Sequence, residues 1–409
     1  MNLNKFYTKI INLTSNKKGP VSTPIVNSAS FAYGDSATAV ERFSGDLQNP
    51  QYARMGNPTN IKLEKAMTTI EGGIQAFCTS SGMASVSMAV LSLAIAGDEI
   101  IVVGGLFGGT YSFFKNFCSR CGIKSHFFEA DDFDGIKTAI NDKTKIIFCE
   151  SVGNPNLKLT NLPILGKIAT ENKIAFIVDN TVTPLSIKPI DFGADIVIYS
   201  TTKIIAGNTS ALGGIAVFRQ LQENDKFYTK RYKEILEPFL KEHPKDALAR
   251  IARPILRDIG FAGNAMSSYL TLLGLETLPL RLDRIKTSSN VVAKELQKHG
   301  FNVRHPSLQN HENNDLFNSL YNGYSGSLLT IDFENNKEAF DFLDKCSLIT
   351  ITANICDART LGLHMKSTIY KDYDEKTRKF LGITDGLVRI SIGLEDPMDI
   401  VNDFIQARG

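Results

Sequence analysis

The stretch KIAFIVDNTVTPLSIKPIDFGADIVIYSTTK, from Lys173 to Lys203, sets the architecture. It holds two apolar runs, 174–178 and 196–199, rich in Ile and Val and without polar alternation. Strands of this kind are covered on both faces, as in a parallel sheet packed between helices. Each run ends on a group capable of chemistry: Asp179 follows the first, and Ser200-Thr201-Thr202-Lys203 follows the second.

On either side of that stretch, short apolar runs at 76–78, 100–103 and 146–148 alternate with helical patterns between residues 72 and 218. Met83, Val86, Val90 and Leu93 recur at helical spacing, with Gly97 as the expected stop. The pattern predicts an α/β fold with a mostly parallel central sheet. From 219 to 253 the chain is charged and helix-favouring, broken by Pro238 and Pro244, and reads as a pair of solvated surface helices. A helical stretch from Arg257 to about His299 leads to strands at 327–333 (SLLTIDF) and 387–392 (LVRISI). Their alternation predicts a smaller C-terminal α+β domain whose antiparallel sheet is exposed on one face. Residues 1–55 show little periodicity and many turn formers, and read as an arm packing on a neighbouring subunit. The expected division is an N-terminal arm over 1–55, a large α/β domain over 56–265 and a C-terminal α+β domain over 266–409.

Composition narrows the partners. Among 409 residues, 45 Lys and Arg oppose 43 Asp and Glu, which supplies neither a nucleic-acid footprint nor an acidic tail. The longest uncharged stretch, 72–97, is interrupted by Gln75 and several Ser and Thr, so no membrane span is expected. The N-terminal twenty residues lack the apolar core of a signal peptide, and the six sparse cysteines suit a reducing compartment, so the expected location is cytoplasmic. Cys118 and Cys121 form a CxxC, but no second ligand pair follows, and no metal is expected.

In an open parallel sheet, ligands gather beyond the carboxyl ends of the strands. After 76–78, Thr79-Ser80-Ser81-Gly82-Met83 opens a helix, offering either a phosphate seat or a plain N-cap. Lys203 follows a buried strand and precedes Ile204 and Ile205, where an ammonium is costly unless its pKa falls or it gains a covalent partner. Phosphate seat, Asp179 and Lys203 together match the needs of pyridoxal 5'-phosphate: a phosphate cradle, an anion for the ring nitrogen and an amine for the aldehyde. A nicotinamide-binding Rossmann protein fits less well, because no GxGxxG follows the first strand and the glycines of 104–109 (GGLFGG) do not fit that spacing.

The segments YARMGNPTN from Tyr52, EGG from Glu71, SSGMAS from Ser80, ESVGNP from Glu150, VDNTVTP from Val178, GADIVIYSTTK from Gly193 and LVRISIGLED from Leu387 carry a resemblance. Over nearly all its length the chain resembles the Cys/Met metabolism family of pyridoxal-phosphate enzymes, most of all the O-acetylhomoserine sulfhydrylases. The resemblance implies an aspartate aminotransferase-like, fold type I enzyme. It also implies a homotetramer built as a dimer of dimers. By the same resemblance Lys203 is the amine that binds the cofactor aldehyde and the catalytic base, and Asp179 partners the ring nitrogen. Gly82, Met83, Ser200 and Thr202 hold the phosphate, joined by Tyr52 and Arg54 from an adjacent subunit. Asn154 sits beside the phenolic oxygen, and Arg389 holds the substrate carboxylate, although from sequence alone a cross-strand ion pair is the simpler reading of that arginine.

Departures from the family pattern stand out on both sides of the site. The family's ring-stacking tyrosine is replaced by Phe107 in LFGGT, which stacks but cannot donate a proton, leaving Tyr52, Tyr111 or Lys203 as donors. Methionine γ-lyases typically carry a cysteine where this chain has Gly109. On the substrate side, Asn354 stands where the family usually has serine, and its HPAST pattern survives only as His364 to Thr368 (HMKST). The implied reaction is γ-replacement in methionine biosynthesis: O-acetyl-L-homoserine with sulfide, or with carried sulfur, gives L-homocysteine and acetate. Methionine γ-lyase and cystathionine γ-synthase are the alternatives within the family, and a non-catalytic cofactor-binding relative is the alternative outside it.

Overall fold

The structure is a computed structural model that describes residues 4–43 and 51–409. Seven strands form the larger sheet: β1 (Gln75–Thr79), β2 (Glu99–Val103), β3 (Lys124–Phe128), β4 (Thr144–Glu150), β5 (Ala175–Asp179), β6 (Ile196–Tyr199) and β7 (Gly214–Phe218). Their order is β1-β7-β6-β5-β4-β2-β3, and only β7 runs against the rest. The unbroken apolar runs have the expected cause. Ile147, Phe176, Val178 and Val197 pack on one face, while Ile146, Phe148, Ile177 and Ile198 pack on the other. Each such side chain contributes about 1.5–3 kcal/mol by leaving water. Two strands of this sheet escaped the sequence reading. β3 (KSHFF) is a half-exposed edge strand with Lys, Ser and His in its first three positions, and β7 opens on Gly214, the second of a pair of glycines.

Several helices differ from expectation. The helix after β1 ends at Leu91, with Ser92 as its cap, and Gly97 instead takes the left-handed turn before β2. Residues 219–253 are not simply solvated. Pro238 lies inside the helix Lys233–Glu242, and the next helix, Ala247–Ile259, buries Leu248, Ala249, Ile251 and Ala252 in the core. Arg219 pairs with buried Asp195 at 2.7 Å and with Asp225 at 2.7 Å, so that segment's charge is partly consumed internally. The stretch 257–299 is broken by left-handed Gly260 and again near Thr277. At the N-terminus, the helix Asn4–Thr14 docks on its own chain: Ile10 is fully buried, Tyr7 Oη donates to Asp283 at 2.8 Å and Lys9 to the Thr69 carbonyl at 2.8 Å. Its apolar spacing is too short to register as periodicity, and the arm-like stretch begins only after it, where Val21, Val40 and Phe43 are exposed.

A second sheet has five strands in the order β10-β11-β12-β9-β8: β8 (Val303–Arg304), β9 (Leu328–Asp332), β10 (Thr350–Ile351), β11 (Leu361–His364) and β12 (Leu387–Ser391). Its neighbours are antiparallel except β10 with β11. Leu329, Ile331, Val388 and Ile390 pack beneath the helices Asn336–Lys345 and Pro397–Arg408. The opposite face mixes polar residues with buried Leu328, Leu361, Leu363 and Leu387, and it is not exposed. Thr330, Arg389 and Ser391 are 2%, 2% and 1% exposed, which corrects the solvent-facing reading. Alternation here reports a partly polar interior.

Candidate active site

The strand ends of the larger sheet and the polar face of the smaller one enclose a cavity of about 240 Å³. Gly82, Met83, Phe107, Asn154, Asp179, Ser200, Thr202, Lys203 and Arg389 line it, which brings most of the sequence-predicted residues together. Asn354 reaches it through Lys203. Tyr52 and Arg54 do not line it within one chain. Tyr52 is 44% exposed, and the Arg54 guanidinium lies 5.4 Å from its ring centroid. Tyr111 is also elsewhere, buried among Phe127, Tyr373 and Phe380, which removes it as a proton donor.

At one end of the cavity the helix Gly82–Leu91 begins. Ser81 caps it by accepting the Ala84 N–H at 3.1 Å, leaving the first N–H groups directed outward. Gly82 is required there, because a Cβ would stand 2.7 Å from the Ser200 Cβ. Thr202 Oγ1 donates to the Gly213 carbonyl at 3.1 Å and accepts the Gly213 N–H at 3.0 Å, which fixes the turn carrying Lys203. An anion at a helix N-terminus is stabilised by both the free donors and the dipole.

Asp179 Oδ1 accepts from Thr181 N–H at 3.0 Å and Thr181 Oγ1 at 2.6 Å. Burial nonetheless raises its carboxyl to about 6. A buried anion of this kind favours a cationic partner, which suits a protonated ring nitrogen. Lys203 donates to Asn354 Oδ1 at 2.5 Å, and burial lowers its pKa, the condition for an amine that must lose its proton to react. Asn354 is held in turn by Thr209 Oγ1 at 3.1 Å. This donor set fits pyridoxal phosphate: donors for the phosphate, a carboxylate for the ring and an amine for the aldehyde.

Arg389 forms no ion pair among the described residues, so the cross-strand pair is excluded. Its Nη1 donates to Asn154 Oδ1 at 3.0 Å and its Nη2 to the Ala353 and Asn354 carbonyls at 3.3 Å each. Burial pulls the guanidinium down to about 10, still cationic at neutral pH. A buried cation facing a cavity with only neutral partners calls for an anionic ligand. Phe107 lines the wall between the two sheets, and a Cβ at Gly109 would stand 2.7 Å from its ring, so a side chain at 109 would displace it.

Sequence reasoning missed Glu150, which lines the cavity at the end of β4, in register with Asp179 on β5. Part of the signal was available, an acid at the end of an apolar run, but its pairing with Asp179 is set by strand order. Thr110 and Thr181 also line the cavity.

A family model for Cys/Met metabolism PLP-dependent enzymes matches residues 7–408. The chain belongs to that family. Its cofactor is pyridoxal 5'-phosphate, and its fold is the type I fold of such enzymes. An O-acetyl-L-homoserine sulfhydrylase of Leptospira meyeri is 32% identical, covering 94% of this chain and 92% of the relative. An L-methionine gamma-lyase of Fusobacterium nucleatum subsp. polymorphum is 29% identical, covering 96% and 94%. A Campylobacter jejuni structure assigned as an O-acetylhomoserine (thiol)-lyase carries N'-pyridoxyl-lysine-5'-monophosphate. It superposes with a TM-score of 0.92 at 28% identity, covering 98% of this chain and 99% of that one. Among the described residues no helix is long and apolar enough to cross a membrane, and no cluster of His, Cys, Asp or Glu could hold a metal.

Proposed function

We propose that this enzyme exchanges the acetyl ester of O-acetyl-L-homoserine for sulfide, or for carried sulfur, yielding L-homocysteine and acetate for methionine biosynthesis. Pyridoxal phosphate supplies the electron sink for carbon–hydrogen cleavage next to the amine. The side chains do the rest. Arg389 clamps the substrate carboxylate and thereby orients Cα toward Lys203. Lys203 Nζ takes the α-proton and returns protons to the carbon chain, with Asn354 Oδ1 directing its lone pair. Asp179 holds the ring nitrogen cationic, and the start of the helix Gly82–Leu91, with Ser200 and Thr202, seats the phosphate.

The observation that carries the choice of substrate is Phe107. Phe107 carries no hydroxyl, so a leaving group beside it receives no proton from its ring. Acetate needs none, since a carboxylic acid has a pKa of about 4, whereas a thiol leaving group with a pKa of about 8.5 or above does. The missing phenol therefore favours ester over thioether substrates. The O-acetylhomoserine sulfhydrylase relatives and the bare Gly109 support the same reading.

Tyr52 and Arg54, exposed and outside their own chain's cavity, would complete the phosphate site of a neighbouring subunit, as in a dimer of dimers. Product identity tests the reading. O-acetyl-L-homoserine with sulfide is expected to give homocysteine, and L-methionine almost no 2-oxobutyrate, with F107Y raising the methionine reaction relative to the ester. 2-Oxobutyrate as the dominant product of wild type, with or without sulfide, contradicts it. In the same assay, mixed R54A and K203A subunits should recover activity that neither has alone, and no recovery counts against a shared site.

A further inference from the structure

We propose that Glu150 works as a neutral carboxylic acid, retaining the single proton of the Glu150–Asp179 pair and fixing Phe107 in the cavity wall. This goes beyond the proposed reaction, since it concerns how the site is poised whichever ester or sulfur donor is used. The argument starts from register. Glu150 and Asp179 are paired residues on adjacent parallel strands, so their side chains leave the same face of the sheet and both line the cavity. Two carboxylates so placed and shielded from water cannot both ionise cheaply.

The hydrogen bonds decide which one keeps the proton. Asp179 receives two donors, the backbone N–H and the hydroxyl of Thr181, both of which favour its anion. Glu150 Oε1 receives the Phe107 N–H at 2.9 Å, while the Asp179 charge faces it. Burial and that charge raise the Glu150 carboxyl well above its ordinary range, whereas Asp179 rises only to about 6. The other groups around Glu150 do not reverse the order. Thr110 offers a neutral hydroxyl, Cys149 is a buried thiol and Tyr370 is a buried phenol. The two cations lining the same cavity, Lys203 and Arg389, are engaged with Asn354 and Asn154.

The division of labour follows. A neutral Glu150 leaves one negative charge, on Asp179, to meet one cationic ring nitrogen. It still accepts the Phe107 N–H, anchoring the residue that borders the cavity where Gly109 gives its ring room.

Glutamine is the neutral isostere and methionine removes the acceptor, so E150Q and E150M separate charge from hydrogen bonding. For E150Q we expect cofactor affinity and the pH dependence of the bound cofactor's absorbance to match wild type. E150M should lose affinity about ten-fold or more, the scale of one orphaned buried donor. Infrared difference spectra of wild-type holoenzyme against E150Q at neutral pH should show a carboxylic-acid carbonyl band that E150Q lacks, a readout that stands even if E150M fails to fold. Loss of affinity or a shifted absorbance titration in E150Q overturns the proposal, as does the absence of that band or an E150M that binds like wild type. None of these readouts depends on the product formed, so the proposal can fail while the reaction assignment stands, and the reverse.

Discussion

The two sheets reach the same cavity by opposite routes. The larger sheet is apolar on both faces and offers chemistry only where its strands end, at Glu150, Asp179 and just past Tyr199. The smaller sheet is apolar on one face and offers chemistry from the middle of a strand, because Arg389 stands third in β12 and points away from the core beneath it. In the first case the candidate site residues are terminators of hydrophobic runs. In the second they are members of an alternation that, in a simpler protein, faces water. Alternation therefore reports the polarity of what a strand faces, and a ligand-sized cavity is one such surface.

If the polar face of the smaller sheet belongs to the site, its arginine should matter most. R389L is expected to lower kcat/KM for the amino-acid substrate by about 10²–10⁴-fold, the scale of two charge-assisted hydrogen bonds. R389K should rescue it poorly, because an ammonium cannot reproduce the fork. A change of only a few-fold would return Arg389 to a structural role.

A smaller effect tests burial of the same face without touching substrate. Ser391 Oγ accepts the Cys356 N–H at 2.7 Å and meets Ser327 Oγ at 2.9 Å. S391V leaves that N–H unpaired in a dry interior and should cost about 1–3 kcal/mol in denaturant unfolding. On a solvated face the same change would be neutral within about 0.5 kcal/mol.

The smallest expected effect contrasts the acid responses of the two regions. Glu64 and Glu71, buried on the helix Pro58–Glu71 against the larger sheet, are each raised by burial to about 7. They take up protons in the folded state first, so their contribution grows as pH falls from 7 toward 4.5. His305 and His311, beside the smaller sheet, are lowered by burial to about 3 and about 4. Backbone N–H groups of Ser307 and Asn313 donate to their Nδ1 atoms, which holds both rings neutral, and stability is lost as pH falls below about 6.5. Each group is worth about 2 kcal/mol between pH 7 and 5. Melting temperatures at those two values should therefore show E71Q falling more steeply than wild type and H305N falling less; parallel slopes would refute the assignment.

Legibility follows the same contrast. Lys203, Asp179 and the Gly82 helix start could be found because each interrupts an unmixed apolar run. β3 could not, since Lys124, Ser125 and His126 erase its apolar character at the sheet edge. Glu150 was in plain view within ESVGNP, but its meaning depends on lying in register with Asp179, a pairing set by strand order and absent from local sequence. The buried polar face of β12 was hidden because LVRISI is identical, as a pattern, to a half-solvated strand. The helix Ala247–Ile259 misled for the converse reason: its arginines suggest a surface, while its alanines and leucines pack on the core.

The central claim is that Lys203 is the amine that holds the cofactor between the two sheets. Reducing the holoenzyme with borohydride and mapping the modified peptide by mass spectrometry tests it directly. The account predicts one pyridoxyl-phosphate adduct per chain, on Lys203, absent from K203A. An adduct on any other lysine in wild type would contradict it.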